Sequence, residues 1–113
     1  MLVIYHNPKC SKSRESICFL DDTKIPYTII KYLETTPTHQ ELKEIIKKLN
    51  IEPIDLVRTK EKIWIEEFKN KTLSTDELID VMIQNPKLIE RPIVINGDKA
   101  VIARPMDRIK EIL

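Results

Sequence analysis

A chain of 113 residues suits one domain, and at that size roughly two-thirds of the unfolded surface is buried on folding, enough for a core without covalent staples. Hydrophobic residues make up 42% and charged residues 33%, and 19 basic against 18 acidic side chains leave a net charge of +1, so nothing in the balance points to nucleic acid or a membrane surface as partner. No apolar run approaches the roughly 20 residues of a membrane span, and the stretch from Met1 to His6 lacks the basic flank and apolar length of a signal peptide, so a cytoplasmic protein is expected.

Leu2 to Tyr5 is a short apolar, β-branched run and predicts a buried strand, broken by the turn residues His6-Asn7-Pro8-Lys9. A helix is predicted from about Ser11 to Asp22, with Ile17, Phe19 and Leu20 on its inner side. Of the two cysteines, Cys10 stands just before this stretch and Cys18 within it. Eight residues along one helix separate them by about 12 Å, beyond the ~7 Å between Cα atoms that a disulfide tolerates. With a single His nearby they also make a poor zinc site, and no metal is expected. Tyr27 to Lys31 predicts a second strand, and the long connection implies parallel pairing with the first.

The middle reads as helical. Thr38 with Glu41, and Ser74 with Glu77, are capping-box patterns. Each opens an apolar stripe, Leu42, Ile45, Ile46 and Leu49 in one case, Leu78, Ile79, Met82 and Ile83 in the other. Pro53 to Val57 and Glu61 to Phe68 predict shorter helices, and Asn85-Pro86 stops the last of the series. Ile93-Val94-Ile95 and Ala100-Val101-Ile102 flank Asn96-Gly97-Asp98, a hairpin signal carried by Asn-Gly, with the one glycine of the chain expected to supply the one positive φ. Met106 to Leu113 predicts a terminal helix. The order is β-α-β, then helices over about 36–90, then β-β-α. That is an α/β chain with a thioredoxin-like (glutaredoxin-like) mixed sheet and a helical insertion between its halves, in a single domain spanning 1–113.

Cys10 stands where a strand feeds a helix. Orphan amides and the positive end of the helix dipole favour a thiolate there, and Lys9, Lys12 and Arg14 add positive charge. Cys18, inside the helix, reads as a small buried hydrophobe. His6, four residues before Cys10, is open to a role within the turn or in tuning the thiolate, whereas His39 beside a helix start is expected to be solvated. Arginine is scarce relative to lysine, and it is the residue suited to planar oxyanion contact. Arg91 precedes Pro92 and Arg104 precedes Pro105, one at each end of the predicted hairpin, and Arg58 follows a mid-chain helix. A cis bond at Pro92 suits this fold, in which such a proline lies beside the reactive cysteine and brings Arg91 with it.

The segment Ile4-Tyr5-His6-Asn7-Pro8-Lys9-Cys10-Ser11-Lys12-Ser13-Arg14 resembles the catalytic start of the glutaredoxin-coupled arsenate reductase family. Lys31-Tyr32-Leu33-Glu34-Thr35, Leu56-Val57-Arg58, Glu90-Arg91-Pro92-Ile93-Val94 and Ala103-Arg104-Pro105 match that family in order and spacing across essentially the whole chain. The resemblance implies that Cys10 attacks arsenic and that His6 supports its thiolate. It further implies that Arg58, Arg91 and Arg104 hold the arsenate oxygens and that Asn7 and Ser13 support the site through hydrogen bonds. Glutathione then acts as co-substrate and glutaredoxin as partner, with no bound cofactor, and a monomer is expected. The chain ends soon after Arg104 and so resembles the short branch of the family. Two other readings share the fold: an Spx-like regulator that binds RNA polymerase, whose usual Cys-x-x-Cys is here Cys10-Ser11-Lys12-Ser13, and a monothiol glutathione-dependent thiol–disulfide oxidoreductase.

Overall fold

Strand β1 (Leu2–Tyr5) lies inside a four-stranded sheet of order β2-β1-β3-β4 in the computed structural model, which describes residues 2–113. Met1, the first residue of the stretch that lacks the marks of a signal peptide, lies outside them. Helix α1 (Ser11–Thr23) leads to β2 (Tyr27–Ile30), which pairs parallel to β1 with Leu2 opposite Tyr27 and Tyr5 opposite Ile30. Strand β3 (Ile93–Asn96) runs antiparallel to β1, and β4 (Lys99–Ile102) antiparallel to β3. The sheet is therefore mixed, as the sequence order predicts. Leu2 and Ile4 of β1, Leu20 of α1, Val94 of β3, Val101 of β4, and Ala103, Ile109 and Ile112 beyond it form one buried cluster, with Ile17, Phe19 and Tyr27 packed against it.

The chain divides into two compact units, Met1–Thr36 with Arg91–Leu113, and Pro37–Glu90. The second holds α2 (His39–Leu49), a 3-10 turn at Pro53–Leu56, α3 (Lys62–Glu67), α4 (Thr75–Gln84) and a second 3-10 turn at Pro86–Leu88. Both expected capping boxes are complete: Thr38 and Ser74 accept from the amides of Glu41 and Glu77, and each glutamate accepts from the cap amide in return. Helix α4 packs on α2 and on the Pro53–Leu56 turn, and Leu42, Ile45, Leu56, Ile79, Met82 and Leu88 are buried.

Four expectations are corrected. Asn96 belongs to β3, paired with both Leu2 and Lys99, so the hairpin loop is Gly97-Asp98 rather than Asn-Gly, with the positive φ of 62° at its first residue. Gly97 is not alone in that conformation, since Lys24 and Asn50 adopt it as the C-caps of α1 and α2. The terminal segment Met106–Ile112 is a 3-10 helix, whose three-residue repeat puts Ile109 and Ile112 on one buried face. Cys18 is exposed, because it lies two residues, about 200° around the helix, from the buried Ser16. Among the described residues, no helix is long and apolar enough to cross a membrane.

Candidate active site

The connection from β1 to α1 is pinned residue by residue. The His6 amide donates to the Ile30 carbonyl at 2.8 Å, carrying the parallel pairing one step past the strand. The Asn7 side-chain oxygen accepts from the Lys9 amide at 3.0 Å, and its carbonyl accepts from the Cys10 amide at 3.0 Å, closing the turn. The Asn7 amide in turn donates to Ser13 Oγ at 3.0 Å, and Arg14 Nη1 donates to the Pro8 carbonyl at 2.9 Å. The chain thus arrives at Cys10 in a fixed direction. The Cys10 carbonyl accepts the first helical bond from Arg14, which makes Cys10 the N-cap of α1, with φ −96° and ψ 123°.

This helix start is unlike those of α2 and α4. Its cap is a thiol with no formed side-chain cap hydrogen bond, and its first turn carries no acidic residue. The positive helix end is left to whatever anion occupies the cap. Cys10 is only 9% exposed. Burial pushes its thiol up, and this is the largest single influence. The Ser13 amide, the charge of Arg91, the Lys12 amide and a hydrogen bond from Arg91 together outweigh it, so the thiol lies below its ordinary value. Polar donors therefore surround a sulfur that position alone leaves open to an apolar fate.

His6 is buried and its Nδ1 lies 2.6 Å from Ser13 Oγ. Burial, then the charges of Lys31 and Arg14, hold its pKa below the usual imidazole value, so it is neutral at pH 7. It reaches the surroundings of the Cys10 thiol through Ser13, not as a positive charge. Ser13, fully buried at the third helical position, receives the Asn7 amide, meets the His6 ring and offers its own amide toward Cys10. Lys31 is the influence on His6 that the sequence reading missed. The β1–β2 register is the signal that finds it, because pairing Tyr5 with Ile30 sets Lys31 beside His6.

Arg91 stands two residues before β3, and its peptide with the buried Pro92 is cis, as is Arg104–Pro105. The Pro92 carbonyl accepts from the Ala103 amide at 2.9 Å, closing the open end of the hairpin. The guanidinium that acts on Cys10 is Arg91's. Arg104 lies exposed just after β4, its amide bonded to the Ile102 carbonyl. Arg58 belongs to the other unit, where its Nη1 lies 2.7 Å from Glu61 and 3.2 Å from the Lys87 carbonyl, and its Nε lies 3.9 Å from Glu90. Its charge is shared with two carboxylates. His39 keeps its contact with solvent, as expected, and is held there by Asp76 and Asp80. Among the described residues, no group of three His, Cys, Asp or Glu is placed to hold a metal ion.

Residues 5–112 match the family model of the ArsC family. This chain belongs to the ArsC family. It is 44% identical to an arsenate reductase of Haemophilus influenzae, over 99% of this chain and 98% of that protein. It is 38% identical to an arsenate reductase of Escherichia coli, over 99% of this chain and 80% of that one. The structure of an arsenate reductase from Vibrio cholerae superposes with a TM-score of 0.95 at 45% identity, covering 99% of this chain and 97% of that one. The β2-β1-β3-β4 sheet is accordingly the thioredoxin-like sheet of ArsC proteins. In this ArsC chain, the residues that meet around the thiol are Lys12 and Ser13 through their amides and Arg91 through its side chain, with His6 and Asn7 one hydrogen bond further out.

Proposed function

We propose that this ArsC protein reduces arsenate to arsenite, with Cys10 as the nucleophile and glutathione and glutaredoxin as the source of electrons. The observation that carries the reading is the thiol of Cys10 at an acid-free helix N-terminus, with two amides and the Arg91 guanidinium favouring its anion. The names of its relatives supply the oxyanion. Arsenate near neutral pH is a tetrahedral dianion, so thiolate and substrate repel until cations stand between them. Arg91 supplies that charge at the sulfur, and Arg104, exposed on the same unit, joins it in holding substrate oxygens. The substrate-binding role expected of Arg58 is part of the proposal and is decided by the kinetics of Arg58→Ala.

Cys10 Sγ attacks arsenic, an arsenic–sulfur bond forms, and one arsenate oxygen departs as water after protonation. Arsenic is still pentavalent at this point. Its reduction takes two electrons, which is what two thiols release on joining as a disulfide. Glutathione and glutaredoxin provide that pair of thiols, arsenite leaves, and Cys10 returns as thiolate. The resolving thiol is external because position 13 is Ser and Cys18 sits on a different face of the helix from Ser13. The scheme needs no bound cofactor, and each copy of the chain carries its own nucleophile, so it runs in a monomer in the cytoplasm where glutathione is kept reduced.

The test is NADPH consumption with arsenate, glutathione, glutathione reductase and glutaredoxin, comparing wild type with Cys10→Ser. Arsenate-dependent turnover in the wild type alone supports the reading. Equal turnover by Cys10→Ser rejects the nucleophile. Reduction of glutathione mixed disulfides without arsenate turnover replaces the substrate and leaves a monothiol oxidoreductase.

A further inference from the structure

Away from the thiol, in the Pro37–Glu90 unit, His39 opens α2 directly after its Thr38 cap and faces α4. Its Nδ1 lies 2.8 Å from Asp80 Oδ1 and its Nε2 lies 3.2 Å from Asp76 Oδ1. Asp76 and Asp80 are four residues apart on α4 and so share one face of it. An ionised carboxylate only accepts hydrogen bonds. A ring with a carboxylate oxygen at each nitrogen is satisfied only when both nitrogens carry a proton. The neutral ring always turns one lone pair toward an anion. The geometry itself selects the imidazolium, although His39 sits at a helix N-terminus, where a cation is disfavoured.

We infer that His39, Asp76 and Asp80 form a proton-operated staple between α2 and α4: protonated, it ties the two helices together, and on losing its proton it releases them. The charged groups around it decide what release means. From α2, Lys43 lies 3.9 Å from Asp76 and partly balances that carboxylate. From α4, Glu77 is committed to the Ser74 capping box and adds its charge next to Asp80. With His39 neutral, Asp76 and Asp80 stand four residues apart as like charges, with the Lys43 ammonium as their near counter-charge. The hydrogen bond that the ring donates to Asp80 is the largest influence raising the imidazole above its ordinary value of 6.5. A raised group stabilises the fold fully below the ordinary histidine value, and that stabilisation is lost as pH climbs through the folded value. The window therefore opens at the ordinary value of 6.5 and closes as pH passes the raised folded value. Helix α4 also packs on the Pro53–Leu56 turn that runs into Arg58, and the Arg58 amide donates to the carbonyl of Leu88 soon after α4 ends. The staple thus bears on the frame that carries Arg58.

The chain has two histidines, and their opposite surroundings make them separable by NMR. The experiment follows the imidazole 13C and 15N resonances of the full chain from pH 5 to 9, with His39→Gln assigning the peaks. The expected result is a His39 titration midpoint above 6.5, both ring nitrogens protonated below it, and a return toward 6.5 in Asp80→Asn and further in Asp76→Asn/Asp80→Asn. Protection factors of the amides in α2 and α4, which remove the intrinsic rise of exchange with pH, should fall a few-fold between the two ends of that titration in the wild type and stay flat in His39→Gln. A midpoint at or below 6.5, or one unmoved in Asp76→Asn/Asp80→Asn, overturns the staple. So does exchange in both helices that is indifferent to the His39 proton.

Discussion

Helices α2 and α4 begin with capping boxes, in which Thr38 and Ser74 take the third amide while Glu41 and Glu77 cover the cap's own amide and place a carboxylate in the first turn. Helix α1 begins with Cys10, has no acid in its first turn and leaves the Lys12 and Ser13 amides to the sulfur. The same orphan donors are present in each case. Two helices satisfy them internally, and their starts are inert. The third keeps them for an anion, and the loop that delivers it is immobilised by Asn7, Ser13 and Arg14 instead of by a cap. On the proposed reading, the reactive site of this chain is a helix start that lacks the usual side-chain cap and whose order is supplied from elsewhere.

The largest break in that contrast is Cys10→Ser. It exchanges a thiol for a hydroxyl that stays neutral and poorly nucleophilic at pH 7, so arsenate turnover should fall at least about a thousand-fold. Serine is a good N-cap, so the start of α1 becomes more like those of α2 and α4, and thermal unfolding should show that the fold is retained at neutral pH. Loss of activity accompanied by loss of the fold would refute the idea that the cap was withheld for chemistry.

Arg91→Ala comes next. The guanidinium lowers the thiol both by its charge and by a hydrogen bond. Its removal should move the pH midpoint of Cys10 alkylation upward and cut turnover by about 10²–10³-fold. Stability carries the same sign. A thiol lowered in the fold stabilises it above the ordinary thiol value, and that contribution is lost as pH falls through the folded value. The pH dependence separating wild type from Cys10→Ser should therefore narrow in the Arg91→Ala background. Arg91→Lys keeps the charge without the planar fork, so it should restore the alkylation midpoint better than the turnover.

What the sequence made legible follows from range. The caps at Thr38 and Ser74 and the placement of Cys10 at a helix start are local, three or four residues deep, and pattern alone predicts them. The loop Gly97-Asp98 differs by one residue from the predicted turn because Asn96 has a use that the Asn-Gly signal does not encode. It pairs with Leu2 across the sheet, and its side chain donates to the Ile112 carbonyl at 2.6 Å. Lys31 beside His6 depends on the β1–β2 register, and His39 beside Asp80 depends on packing between positions 41 residues apart. The exposure of Cys18 follows from the burial of Ser16, a polar residue that hydropathy would not place inside and whose hydroxyl is satisfied by the Lys12 carbonyl.

Ser13→Ala sharpens the comparison further, because it separates the amide from the hydroxyl of one residue. The backbone donor toward Cys10 remains, so the alkylation midpoint should move little. The buried Nδ1 of His6 and the Asn7 amide lose Oγ as their partner, which costs about 1–3 kcal/mol in stability. A loosened loop should lower turnover by about ten- to a hundred-fold. A large shift of the alkylation midpoint with unchanged stability would mean that the hydroxyl, not the amide, serves the sulfur.

The smallest effect is expected where the donors are already satisfied. Ser74→Ala removes the side-chain acceptor of the Glu77 amide and should cost about 1 kcal/mol, seen as a fall of a few degrees in the unfolding midpoint. Glu77 keeps its bond to the cap amide, so half of the box survives and α4 still starts at the same residue. Arsenate turnover and Cys10 alkylation should be unchanged, because an inert helix start contributes to the fold and not to the anion. If Ser74→Ala instead raised the Cys10 midpoint as Arg91→Ala does, the caps would be coupled to the thiol, and the two kinds of helix start could no longer be treated as separate solutions.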